Sequence, residues 1–335
     1  MRTAVVTGLI AAFVALIMVV TNDDPLGPSA DLVIGIASGA AYGLVAIGIV
    51  IVYKGARVFN FAQGEFGTIA AFIAFVLLEQ MKSPKIPYGV AVLIAVVATV
   101  LIGIIMERIL VRPLLNAPRV NLLVGTIAFS LLAIGVELLL FRPEPKVLQP
   151  ALQSVDAKGN PLGPEIFGYF LEPQRIVIIG VLLLIAIGLG YFFSRTNLGL
   201  AVLAVSQDSL ATKAVGIGVG RMSMFIWASA AFFGAVAGIL YLPLSSLTPG
   251  AMTTSILIPA FAGAVIGGMT SLPGAFVGGV AVGIIQGLAG WAANHYYLGI
   301  QPWANVVPGA TDVALFVVLL VVLLARPQGL LGTET

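Results

Sequence analysis

No cysteine occurs in the 335 residues, so neither disulfides nor thiol chemistry enters the account. Histidine occurs once, at His295, within "WAANHYYLGIQPW". That stretch reads as an interfacial aromatic belt of Trp291, Tyr296, Tyr297 and Trp303, not as a metal centre. No G-x-x-x-x-G-K-[ST] phosphate loop is present, which excludes ATP binding by that route. No nucleophile–base pair or metal-ligand cluster is spaced for catalysis, so the chain does not read as an enzyme. Charge is scarcest of all. Charged residues make up 9% of the chain and apolar ones 60%, with a mean hydropathy of +1.11. Soluble domains carry roughly 25% charged residues. Too little charge remains to cover a water-facing surface, so the chain is an integral membrane protein.

What is present is a series of apolar runs of helical length. Ten are expected, at about 4–20, 31–53, 65–81, 88–110, 120–141, 174–194, 222–246, 254–271, 274–294 and 309–326. They do not alternate, so barrel strands are excluded. The fold class is therefore all-α: a polytopic membrane protein of about ten transmembrane helices. With a cytoplasmic N-terminus, the inside loops hold Arg2, Lys54, Arg57, Arg108, Arg112, Arg119, Arg195, Lys213, Arg221 and Arg326. That is the cation bias of inside loops, and it places both termini in the cytoplasm. The first run also has the makings of a cleaved signal peptide with Arg2 as its charged region. Residues 142–173 are rich in proline and form the one sizeable outside loop. It serves either as a solvated connector or as a dock for an extracytoplasmic partner.

An internal repeat organises the series. "ASGAAYGLVA" at 37–46 and "ASAAFFGAVA" at 228–237 share six of ten positions. In this topology the two copies run in opposite directions, each second in a group of five spans. The pattern is a 5+5 inverted repeat, with halves 1–141 and 174–326 within a single transmembrane domain. Both halves break after their second span. The first break is "NFAQGE" at 60–65. The second, "SSLTPGAMTTS" at 245–255, falls at the matching position. Interrupted segments at matching places mark a substrate path, because irregular backbone at membrane depth needs protein or water around it. The path candidates are Tyr42, Asn60, Gln63, Gly64, Glu65, Thr248 and Pro249.

Three acids fall within or at the ends of spans. Glu107 reads as a snorkelling partner of Arg108. Glu137, five residues before Arg142, reads as reaching water. Glu65 sits in the polar break, where a functional role is the stronger reading; the plainer one is a helix N-terminal charge that answers the dipole. A further feature lies in the cytoplasmic loop 195–221. Asp208 can cap a short helix there, Gly216 can end it, and Lys213 suits its negative end. Such a helix is either an interfacial connector or a knob for a cytoplasmic socket.

"NFAQGE" resembles the Asn-Phe-Ala-His-Gly-Glu signature of LivH-type permeases, with Gln63 in place of the usual His. "LGLAVLAVSQDSLATKAVGI" at 198–217, "AGAVIGGMTSLPGAFVGG" at 262–279 and "RPQGLLG" at 326–332 extend the resemblance over nearly the whole chain. It implies a membrane subunit of an ABC importer for branched-chain amino acids, in a bacterial plasma membrane. It also implies the partners: a second permease, LivM-like or identical, two cytoplasmic ATPases that bind the ATP and magnesium, and an extracytoplasmic binding protein. The chain itself needs no cofactor. The coupling helix at 206–216 would carry Ser206, Gln207, Asp208, Ala211, Thr212, Lys213 and Gly216. Substrates among such permeases extend to urea, short amides and other small solutes. Gln63 removes a titratable group from the signature. An autonomous secondary carrier or a channel for a small polar solute stays open as the alternative.

Overall fold

The structure is a computed structural model that describes residues 29–81, 86–115, 117–152, 162–166, 169–197, 199–200, 202, 218–295, 297–298, 301–302, 309–326 and 328–332. The first expected span, at 4–20, and the expected coupling helix, at 206–216, lie outside the described residues.

Helices dominate, as the unbroken apolar runs require. In chain order they are α1 (Ser29–Ala56), α2 (Gln63–Phe75), α3 (Tyr88–Met106), α4 (Arg119–Phe141), α5 (Pro173–Arg195), α6 (Val219–Tyr241), α7 (Ala251–Ser255), α8 (Leu257–Gly267), α9 (Leu272–His295) and α10 (Ala310–Ala325). Two short antiparallel pairs depart from the all-helical pattern. Glu165–Ile166 pairs with Tyr169–Phe170, and Tyr297–Leu298 with Gln301–Pro302. Five of the helical stretches are long and apolar enough to cross a membrane: Ala30–Ala56, Tyr88–Leu114, Arg119–Phe141, Gly220–Leu244 and Leu272–Asn294. This is a membrane-spanning helical protein.

Helix α1 is the centre. Within its most apolar stretch, 83% of residues are buried, against 33% for α3 and 22% for α4. Helices α5, α6, α8 and α9 pack around it. Lipid offers no hydrophobic drive for helices to associate, so close backbone approach has to supply the attraction. Small residues at four-residue spacing do this: Gly35, Gly39 and Gly43 of α1 face Gly279, Gly283 and Gly287 of α9. A Cβ at Gly39 would lie 2.8 Å from both the Cα and the carbonyl oxygen of Val280. Helices α3 and α4 instead expose Leu93, Ile109, Leu131, Leu139 and Leu140, a surface fit for lipid.

Helix α3 continues through a π-helical stretch, Glu107–Val111, into a last turn at Arg112–Leu114. The wider turn brings residue i+5 over residue i. Buried Glu107 thereby meets Arg112, through Nε at 3.4 Å and a second nitrogen at 3.2 Å, while Arg108 stays exposed. The expected Glu107–Arg108 pair is corrected by this change of helical period.

The "RPQGLLG" tail also acquires a role. The Leu330 N–H donates to the Ile266 carbonyl (2.7 Å) and the Leu331 N–H to the Gly267 carbonyl (3.0 Å). These are carbonyls at the end of α8, which have no intrahelical partner. Gly268 (φ 108°) and Gly329 (φ 81°) let the two backbones touch there.

Candidate substrate path

The first break begins where α1 stops. Arg57 takes a left-handed conformation (φ 54°), which ends the helix. Tyr53 stacks on Phe59, and both Phe59 and Phe61 contact Phe261 of α8, with ring centroids 5.1–5.5 Å apart. Asn60 lies between these aromatic anchors and is fully buried. Its Oδ1 accepts the Ala62 N–H (3.0 Å), the local bond that asparagine favours in turns. Its Nδ2 donates to Gln63 Oε1 (3.2 Å). Gln63 Nε2 in turn donates to the Ala230 carbonyl of α6 (2.9 Å). The Phe61 N–H donates to Thr126 Oγ1 of α4 (3.2 Å). Asn60 and Gln63 therefore form a closed network that holds the start of α2 between α4 and α6.

Depth along the helices follows from neighbours. The Gln63 amide lies against Gly48. Gly48 is six residues before Lys54 on α1, or roughly 9 Å at 1.5 Å per residue. The chain thus turns back inward after α1, and α2 starts well inside the cationic end of that helix.

The second break reaches the same place. Helix α6 ends in a tight turn, Leu242–Leu244. Leu247 then exchanges two 3.0 Å backbone hydrogen bonds with Lys146 of the 142–173 segment. The Thr248 carbonyl accepts the Ala251 N–H (3.0 Å), and half-buried Pro249 follows. Gly250 is left-handed (φ 72°) and opens the short helix α7. Helix α7 packs on α2. The Met252 N–H donates to Thr68 Oγ1 (3.2 Å), and a Cβ at Gly64 would stand 2.8 Å from the Thr253 Cα. The two breaks, far apart in sequence, are therefore in contact.

Glu65 lies at that junction with no exposed surface. Beside it are Thr253 of α7 and Glu137 of α4. Glu137 is itself buried, and its Oε2 accepts the Gly250 N–H at 2.9 Å. Both Glu65 oxygens, Glu137 Oε1 and Thr253 Oγ1 are buried without a hydrogen-bond partner. Tyr42 is placed elsewhere. It is buried on α1, beside Tyr241 of α6 and within electrostatic reach of Asp312 at the start of α10.

A permease family described as "Branched-chain amino acid transport system / permease component" matches residues 32–325, which take in both breaks and every helix packed around them. The chain belongs to this permease family. It is similar to the high-affinity branched-chain amino acid transport system permease protein BraD of Pseudomonas aeruginosa. The two are 30% identical over 308 residues, 90% of this chain and 95% of the relative. It is also 27% identical over 303 residues to the high-affinity branched-chain amino acid transport system permease protein LivH of Escherichia coli K12. That match covers 89% of this chain and 93% of the relative. No solved structure matches the chain. The family is one of transport components, not of enzymes.

Within this permease, the structure brings Asn60, Gln63, Gly64 and Glu65 together and sets the α7 end of the second break against them. Thr248 and Pro249 lead into α7, and Tyr42 stands apart beside Tyr241. Ser206, Gln207, Asp208, Ala211, Thr212, Lys213 and Gly216 lie outside the described residues. Two participants escape sequence reasoning. Its distance of five residues from Arg142 points Glu137 to water, yet it is buried against the other break. Thr253 is one of many small polar residues in its segment. The one available signal was that Glu137 is a carboxylate inside an apolar span, where such groups are costly.

Proposed function

We propose that this permease is the membrane subunit of an ATP-driven importer that carries branched-chain amino acids or a similar small solute. The observation that carries this is the meeting of two interrupted segments at a buried polar junction, in a chain of this family. The solute passes along Glu65 and the Thr248–Pro249 segment. Asn60 and Gln63 hold the first break in shape, Gly64 lets the second approach, and Tyr42 lines the path further along α1. The whole chain is one permease domain in a bacterial inner membrane, with both termini cytoplasmic.

The inverted repeat, 1–141 against 174–326, is part of the same proposal, and the packing supports it. The offset of 191 residues between the copies at 37–46 and 228–237 pairs α1 with α6, α2 with α8, α3 with α9 and α4 with α10. Contacts exchange under that pairing: α1 lies on α9 as α6 lies on α3, and α8 lies on α1 as α2 lies on α6. Likewise α2 meets α4 as α8 meets α10.

ATP and magnesium are handled by two separate ATPase subunits, which dock on the loop 195–221 through a coupling helix at 206–216. A second permease, LivM-like or identical, completes the pore. A binding protein docks outside on the 142–173 loop, which is tied to the second break at Leu247.

The test is an affinity pull-down from native membranes, with and without Asp208→Arg plus Gly216→Trp. An ATPase and a second permease co-purify with the unaltered chain. The double substitution still inserts but loses the ATPase and solute uptake. Recovery of the chain alone, active in liposomes without ATP, would assign it to the secondary carriers.

A further inference from the structure

The buried polar groups around the two breaks divide into those that are spoken for and those that are not. Asn60 and Gln63 are bonded to each other, to the Ala62 N–H and to the Ala230 carbonyl. Thr126 accepts from Phe61 and donates to the Leu123 carbonyl. Thr68 accepts from Met252. Glu107, another buried acid, has Arg112. What is left is one group of four oxygens on three elements: both oxygens of Glu65 on α2, Oε1 of Glu137 on α4 and Oγ1 of Thr253 on α7.

These atoms are held in place, not stranded. The Gly250 N–H fastens Glu137 Oε2, which leaves Oε1 as the free oxygen. The missing side chain at Gly64 allows Thr253 to close on α2. Burial without a partner is unfavourable for each such group, and more so for a charged one. Two carboxylates sharing a buried site cannot both stay ionised unless a positive charge joins them. The ion pairs Glu107–Arg112 and Glu172–Arg175 do not reach the junction.

Either one carboxyl holds a proton and donates it to the other, or a ligand supplies the charge; such a ligand is cationic, rich in donors and free of acceptors. A primary ammonium has one positive charge, three N–H donors and no acceptor. Its three N–H groups can answer three of these four oxygens. A neutral amide or urea leaves the charge of the pair unanswered, and a carboxylate adds to it. Multivalent metal binding has little support, because no group of three or more metal-ligating side chains occurs among the described residues.

We propose that Glu65 and Glu137, with Thr253, take the ammonium group of the transported solute. The permease then selects amine-bearing solutes over neutral amides and deaminated acids. This deepens the transport reading above and rests on it.

The test uses the purified full chain in detergent, so that no ATPase or binding protein contributes. Thermal melting is followed against isopentylamine, 4-methylpentanoate and sodium chloride. Isopentylamine raises the melting temperature of the unaltered chain saturably, and 4-methylpentanoate does not. In Glu65→Gln and Glu137→Gln the half-saturating amine concentration rises about tenfold or more, as loss of a charge-assisted hydrogen bond implies. Both variants keep the shape and remove only charge, so their own melting curves verify that they fold. The proposal is overturned if the amine has no effect on the unaltered chain. It is equally overturned if both variants respond as the unaltered chain does, if sodium alone produces the shift, or if pH alone does so with no dependence on amine. Failure of the importer reading would show separately, as recovery of the chain without an ATPase in the pull-down.

Discussion

Single residues set how closely the elements meet. At Gly39 a side chain would run into the backbone of α9, with Val280 Cα and O each 2.8 Å from a Cβ. Backbone in a packed bundle cannot retreat as a flexible side chain can, and overpacking costs about 1–3 kcal/mol or more. Gly39→Leu is therefore expected to abolish a monodisperse peak in detergent size-exclusion chromatography, whereas Gly89→Ala, in open space, leaves it unchanged. Gln63 acts through hydrogen bonds. Gln63→Leu strands the Asn60 amide and loosens the tie to Ala230, a loss of about 1–3 kcal/mol for the orphaned group. A lower melting temperature with reduced uptake is the expected result. A wild-type melting curve would remove Gln63 from the network that positions α2.

At the scale of elements, two ends are closed in ways that helix propensity does not supply. The π-helical stretch at Glu107–Val111 aligns Glu107 with Arg112, and Arg112 also donates to the Gly220 carbonyl (3.2 Å) at the start of α6. The tail closes α8. Truncation after Gln328 removes the bonds from Leu330 and Leu331 and the packing of Leu330 on the core. At about 1 kcal/mol per hydrogen bond plus part of a leucine's burial, the loss is roughly 2–3 kcal/mol. The melting temperature of the truncated chain should fall by several degrees. An unchanged value would make the tail an ornament of α8.

For the whole molecule, the arrangement is a buried helix inside a shell. Helix α1 packs against α5, α6, α8 and α9, while α3 and α4 turn apolar faces outward. The two breaks enter from different parts of the chain and meet beside Glu65. If the proposed inverted repeat holds, this junction lies between its halves, where a path can open first on one side and then on the other. The double substitution at Asp208 and Gly216 addresses this scale, since it tests the proposed coupling helix while leaving the residues of the junction unchanged.

The sequence by itself determined the class of protein, the placing of most apolar helices and the two breaks. Hydropathy, charge scarcity and proline or glycine interruptions are local properties, and they can be read along a line. The family was legible for the same reason, in four short motifs. Tertiary structure alone decided which faces meet. It paired Glu107 with Arg112 where a regular helix would have offered Arg108, because a π-helical turn changes the angular register. It turned Glu137 inward to Gly250 and Glu65, because the rotation of α4 about its axis depends on what packs against it. It closed Asn60 and Gln63 on each other and left Glu65 free, a distinction among three adjacent polar residues that only their neighbours on α4, α6 and α7 could make.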